Sequence, residues 1–89
     1  MEDTLIIVYK ARFIRKYKKL PEALREETKD KISLFSKHQD HMSLKAHKLK
    51  GKLKGFYSFS VNYKYRIIYH YEEKNKVALD NIGDHSIYN

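Results

Sequence analysis

The sequence predicts an α+β domain in which an N-terminal strand, a helical hairpin and an antiparallel three-strand meander form a small sheet with the helices packed on one face. Three observations predict it. Apolar residues recur at helical spacing only between residues 10 and 37, they alternate with polar ones from residue 56 onward, and a lone proline, Pro21, divides the helical stretch. Because 89 residues support one core and no more, residues 1–89 are read as a single domain.

Residues 4–9 are rich in β-branched side chains and do not alternate, so they read as a central strand buried on both faces. Phe13, Ile14, Tyr17 and Leu20 make the stripe of a first helix, which stops at Leu20 because proline disfavours helix in the residue before it. Pro21 suits the first turn of a second helix, where its missing N–H costs nothing. That helix runs to about Lys37 with Leu24, Thr28, Ile32 and Phe35 along one face, and acidic residues in its first turn complement the dipole. Residues 38–54 hold no sustained period and read as a long loop leading into the sheet. In residues 56–61, Tyr57, Phe59 and Val61 alternate with Ser58 and Ser60. In residues 64–71, Tyr65, Ile67, Tyr69 and Tyr71 alternate with Arg66, Ile68 and His70. Asn62 and Tyr63 are the short connection of that antiparallel hairpin. A further strand, residues 76–82, follows the polar turn 72–75 and ends at Gly83.

The formal charge of +8 is concentrated in the middle of the chain. Lys and Arg outnumber Asp and Glu ten to seven in residues 1–40 and seven to none in residues 41–66, whereas residues 67–89 hold two against four. Seven cations without a carboxylate are not helix-face salt bridging, which intersperses the signs; such a stretch attracts phosphates. A solvated lysine-rich loop is the blander alternative. The absence of cysteine excludes disulfides and thiolate metal sites. With residues 5–9 as the longest apolar run and Glu2 and Asp3 at the start, the expectation is a soluble, cytoplasmic protein with no membrane partner.

No carboxylate pair suited to metal or acid–base work is evident, and Gly51 and Gly55 lack the Gly-Lys-Ser/Thr of a phosphate loop, so they serve backbone freedom in a turn. His38 and His41 have a spacing that can ligate metal, but without an obvious third ligand they read as exposed loop histidines, and no metal or cofactor is expected. The surviving set is His47, Lys48, Lys50, Arg66, His85 and Tyr88. If the last three strands form a meander, the loop entering it and the tail leaving it both flank the middle strand and meet over Arg66. RNA cleavage without metal needs a base for the 2′-hydroxyl, a cation for the charged phosphorane and an acid for the leaving 5′-oxygen. Histidine, arginine and tyrosine are suitable types. Against this, Arg66 equally fits a side chain facing solvent on an open sheet face, His85 a local turn, His70 a structural residue, and the eight tyrosines mostly packing.

The runs HKLKGKLKGFYS from His47, YRIIY from Tyr65 and IGDHSIY from Ile82 resemble the C-terminal half of RelE/ParE-superfamily toxins, and the element order agrees over essentially the whole chain. The resemblance implies a toxin paired with an antitoxin, cutting mRNA in the ribosomal A site by 2′-hydroxyl attack. On it, Arg66 matches the phosphate-stabilising arginine, and His85 the histidine or arginine acting near the C-terminus. His47 matches a loop histidine of the YafQ-like branch, and Tyr88 approximates the terminal aromatic. Lys45, Lys48, Lys50, Lys52, Lys54 and Lys64 would contact RNA. Ser58 and Ser60 stand where some relatives have Lys or His, and Lys64 where others have Asp, which leaves the general base open. The alternatives are a ParE-like inhibitor of DNA gyrase, which needs no catalytic constellation, and a basic nucleic-acid-binding module without activity.

Overall fold

The computed structural model describes residues 4–37 and 42–88. Strand β1 (Ile6–Tyr9) leads into helices α1 (Ala11–Lys18) and α2 (Glu22–Ser36), followed by β2 (His47–Lys48), β3 (Tyr57–Ser60), β4 (Arg66–Glu73) and β5 (Lys76–Gly83). Single turns of 3₁₀ helix lie at Gly51–Leu53 and His85–Tyr88. The five strands form one sheet in the order β1-β5-β4-β3-β2, parallel between β1 and β5 and antiparallel elsewhere.

The helices form where the apolar stripe and the proline place them. Pro21 caps α2, and Arg25 donates to the Leu20 carbonyl while the Tyr17 hydroxyl donates to the Arg25 carbonyl, which closes the hairpin. The buried Thr28 hydroxyl donates back to the Leu24 carbonyl at 2.7 Å, so no polar group is stranded in the helix face. Phe13, Ile32 and Phe35 pack on Phe59, Val61, Ile67, Tyr69, Val77 and Leu79 from one face of the sheet. Phe35 stacks on Phe59 with centroids 4.4 Å apart and meets Tyr69 edge-on at 4.7 Å.

Three expectations are corrected. The first strand is not central: β1 lies at the sheet edge, with Ile6 60% and Tyr9 48% exposed. Its β-branched run pairs on one side only, and Tyr9 lines a groove with Phe13, Ile14, Tyr17 and Ile32. The long loop contains structure, since His47 and Lys48 pair with Ser58 and Tyr57 to add a fifth strand. The hairpin connection is longer than Asn62 and Tyr63. The Asn62 side-chain oxygen accepts the amides of Lys64 and Tyr65, holding a turn that delays β4 to Arg66.

An irregularity in β5 shapes the other face. Ile68 pairs with Asn81 and Tyr69 with Leu79, so Asp80 is an extra residue. The bulge lets Val77, Leu79 and Ile82 all reach the core while Asp80 and Asn81 line the face opposite the helices. Ile68 is buried on that face, and Leu53, Phe56 and Ile87, from the segment before β3 and the C-terminal turn, line a concavity with it.

Candidate active site

Strand register builds the floor of a concavity. Ser60 on β3 pairs with Arg66 on β4, which pairs with Gly83 on β5, and His47 on β2 pairs with Ser58 on β3. Two residues past Gly83 the chain turns into the 3₁₀ segment, which brings His85 and Tyr88 back over the sheet. The resulting open cavity of about 350 Å³ is lined by Lys45, His47, Ser60, Arg66, His85 and Tyr88, with Leu49 as its apolar wall. The four residues expected to act on RNA, His47, Arg66, His85 and Tyr88, thus share one cavity.

Each is held by an identifiable contact. His47 Nδ1 lies 2.7 Å from the Lys45 carbonyl oxygen. A carbonyl only accepts, so Nδ1 carries the hydrogen and the neutral ring keeps its lone pair on Nε2, the form a general base requires. Lys45 has φ 57, a left-handed conformation uncommon outside glycine, at the residue that supplies this carbonyl. The Arg66 guanidinium donates through Nη1 to the carbonyls of Asn62 at 2.6 Å and Tyr65 at 3.2 Å. The turn that holds Arg66 is itself tied to α2, where Glu27 accepts from the Asn62 amide at 3.0 Å and Lys31 donates to the Val61 carbonyl.

The C-terminal turn is set by two small residues. Asp84 accepts the Ser86 amide and hydroxyl, and these hydrogen bonds hold its carboxyl below the usual range. At Gly83 an added Cβ would overlap Ile87 Cγ2 and stand 3.3 Å from Lys16 Nζ, so only glycine lets the turn close this tightly on β5. The Tyr88 hydroxyl lies 2.6 Å from Ser58 Oγ, and the Tyr88 ring meets His85 at 6.0 Å, nearly perpendicular. Ser58 is fully buried. Neither its contact with Tyr88 nor the lining role of Ser60 was visible beforehand; the signal was a pair of serines at the strand positions that share a face with Arg66.

The expected RNA-contacting lysines are all exposed and spread over more than one surface. Lys45 lines the cavity. Lys48, Lys50 and Lys54 line a neighbouring hollow with Gly51, Gly55 and Phe56, and Leu49 borders both. The two glycines have φ of 67° and 96°, the left-handed turns expected of them. Lys52 sits in the first 3₁₀ turn, and Lys64 lies over the Tyr65 ring at 5.7 Å. His70 stays outside the cavity, with Nδ1 2.7 Å from Asp80 Oδ2. His38 and His41 lie outside the described residues; among the described residues no group of three His, Asp or Glu side chains is placed to hold a metal ion, and no helix is long and apolar enough to cross a membrane.

The fold of two helices and a five-strand sheet is shared with solved toxins. YafQ from E. coli strain BL21(DE3) superposes with a TM-score of 0.76 at 17% identity, covering 94% of this chain and 97% of that one. A chain of the heterotetrameric YoeB–YefM toxin–antitoxin complex from Staphylococcus aureus gives 0.71 at 20% identity, covering 91% and 97%. A chain of the RelBE2 toxin–antitoxin complex from Mycobacterium tuberculosis gives 0.66 at 16%, covering 91% and 98%. At these identities the likeness establishes the fold. Among curated proteins nothing matches the chain. Residues 9–85 match the HigB-like toxins, described as RelE-like toxins of type II toxin–antitoxin systems, and the chain belongs to that family. It is a toxin of a toxin–antitoxin pair.

Proposed function

We propose that this toxin is an endoribonuclease that cuts mRNA, in the ribosomal A site, by metal-independent attack of a 2′-hydroxyl on the adjacent phosphate. The observation that carries the reading is the single cavity lined by His47, Arg66, His85 and Tyr88. His47 Nε2 takes the 2′-hydroxyl proton as the oxygen bonds to phosphorus. Arg66 stabilises the charge on the phosphorane oxygens, and its guanidinium is already fixed by two carbonyls, so little reorganisation is needed. The P–O5′ bond then breaks, and His85, with Tyr88 assisting, delivers a proton to the departing oxygen. The products are a 2′,3′-cyclic phosphate and a 5′-hydroxyl. Each group is worth about 2–5 kcal/mol of barrier when correctly aimed.

The lysines around the cavity hold the RNA backbone. A cognate antitoxin is the second partner: YoeB and RelBE2 were solved as toxin–antitoxin complexes, and the excess charge of residues 41–66 favours a partner with acidic segments. The test is primer extension on a defined mRNA in a cell-free translation reaction, with wild type, Arg66→Ala and His85→Ala. In-frame cuts that need ribosomes and disappear in both variants are expected. Intact mRNA at high protein concentration would sink the reading and make gyrase supercoiling the next assay.

A further inference from the structure

On the same sheet face, across the C-terminal turn from the cavity, lies a second concavity of about 440 Å³ that the cleavage mechanism does not use. Its volume falls in the range of about 300–1,000 Å³ usual for small-molecule sites. Phe56, Ile68, Leu53 and Ile87 give it an apolar and aromatic lining. Its polar groups are Asp80 and Asn81, delivered together by the β5 bulge, with Arg12 on the first turn of α1 and Lys10 just before it, whose amine also pairs with Glu72 at 3.3 Å.

The polar pair has a defined donor and acceptor pattern. His70 Nδ1, 2.7 Å from Asp80 Oδ2, fixes the carboxylate and leaves Oδ1 and the remaining lone pairs to accept. Asn81 is only 8% exposed, its Oδ1 accepts the Ile82 amide, and among the described residues its Nδ2 has no protein partner. Among the described residues no buried side-chain nitrogen or oxygen is left unsatisfied, so Nδ2 reaches solvent, and Asn81 is one of the residues that line this concavity. The site therefore offers two adjacent acceptors beside an amide donor, over an aromatic surface, with cations close by.

That pattern is complementary to one nucleobase edge. Guanine presents an N1–H and a 2-amino group, which a carboxylate accepts in parallel, next to O6, which accepts from an amide. Adenine turns an unprotonated N1 toward the carboxylate and an amino group toward the amide, which mismatches both. We propose that this concavity is a guanine-nucleotide subsite, with Asp80 and Asn81 reading the base, Phe56 against its face, and Lys10 and Arg12 on its phosphate. Its part in choosing where RNA is cut rests on the ribonuclease reading, because Ile87 lines this concavity while His85 and Tyr88, on the same turn, line the cavity. Nucleotide binding itself does not rest on that reading.

The test is titration of ¹⁵N-labelled wild-type chain with 5′-GMP, 5′-IMP, 5′-AMP and 5′-CMP. GMP is expected to bind about tenfold or more tightly than AMP, in line with about 1–3 kcal/mol for a bidentate base contact. IMP, which lacks the 2-amino group, falls between them, and amide shifts centre on Ile68, Asp80 and Asn81. Asp80→Asn is expected to erase the preference for GMP. Equal affinities across the four nucleotides, or shifts confined to His47 and Arg66, overturn the proposal, and the wild-type series decides even if the variant does not fold. GMP bound at Asp80 by a chain that cuts no RNA refutes the nuclease and leaves this subsite standing.

Discussion

Ser58 and Tyr88 are thirty positions apart, and their hydroxyls meet at 2.6 Å. The contact joins a fully buried strand residue to the last turn of the chain, so it aims a cavity side chain from inside the fold. Ser58→Ala is expected to cost about 1 kcal/mol of stability. It should also lower cleavage about tenfold, as Tyr88 loses its anchor. A double-mutant cycle with Tyr88→Phe, read by denaturant unfolding, should give a coupling of about 1 kcal/mol, and additive losses would show the hydroxyls to be independent. His47, Arg66, His85 and Tyr88 were legible as a set because residue type and order around a meander limit where a loop and a tail can go. Their supports were not: Ser58, the Lys45 carbonyl and the Asn62 turn act through geometry that exists only once the register is set.

At the scale of elements, the C-terminal turn depends on Gly83, because a side chain there meets Ile87. Gly83→Ala should leave the core intact but lift the turn carrying His85 and Tyr88, with cleavage falling more than stability. Adding Ile87→Ala removes the clashing methyl and should restore part of the activity; no recovery would place the defect elsewhere. The helical hairpin was read correctly because periodicity and Pro21 agree. The edge position of β1 was not, since an apolar β-branched run looks the same whether one face or two are covered, and here Ile6 and Tyr9 are left out. The Asp80 bulge leaves a trace in the spacing of Val77, Leu79 and Ile82, which departs from strict alternation. The two-residue strand β2 falls below any periodic signal.

For the molecule as a whole, two physical properties follow from where its charges and tyrosines sit. Lys48, Lys50 and Lys54 border a hollow that shares Leu49 with the cavity, so on the proposed function single-stranded RNA binding should weaken steeply with salt. At about 0.7 in log–log slope per phosphate contact, Lys50→Ala with Lys54→Ala should flatten the dependence by about 1.4, measured by fluorescence anisotropy. Burial, and the neighbouring Tyr71 and Tyr57, push the Tyr69 phenol well above its ordinary value of 10.0. The folded chain thus keeps this proton where the unfolded chain releases it. Tyr69 therefore supports the fold below about pH 10 and loses that contribution as pH rises, by up to about 1.4 kcal/mol per pH unit. Urea unfolding across pH 9–11 should show the decline, and Tyr69→Phe should reduce its slope. Element order and the concentration of charge were legible in the sequence; the concavity on the second face was not, because Leu53, Ile68 and Ile87 come to line it only through tertiary packing. The most direct test of the proposed chemistry is to replace the nucleotide 5′ to a mapped cut with its 2′-deoxy form in an otherwise identical mRNA. Attack by the 2′-hydroxyl requires that this bond stay intact while the all-ribose control yields a 2′,3′-cyclic phosphate and a 5′-hydroxyl, whereas cutting at the deoxy position, or a 5′-phosphate product, contradicts it.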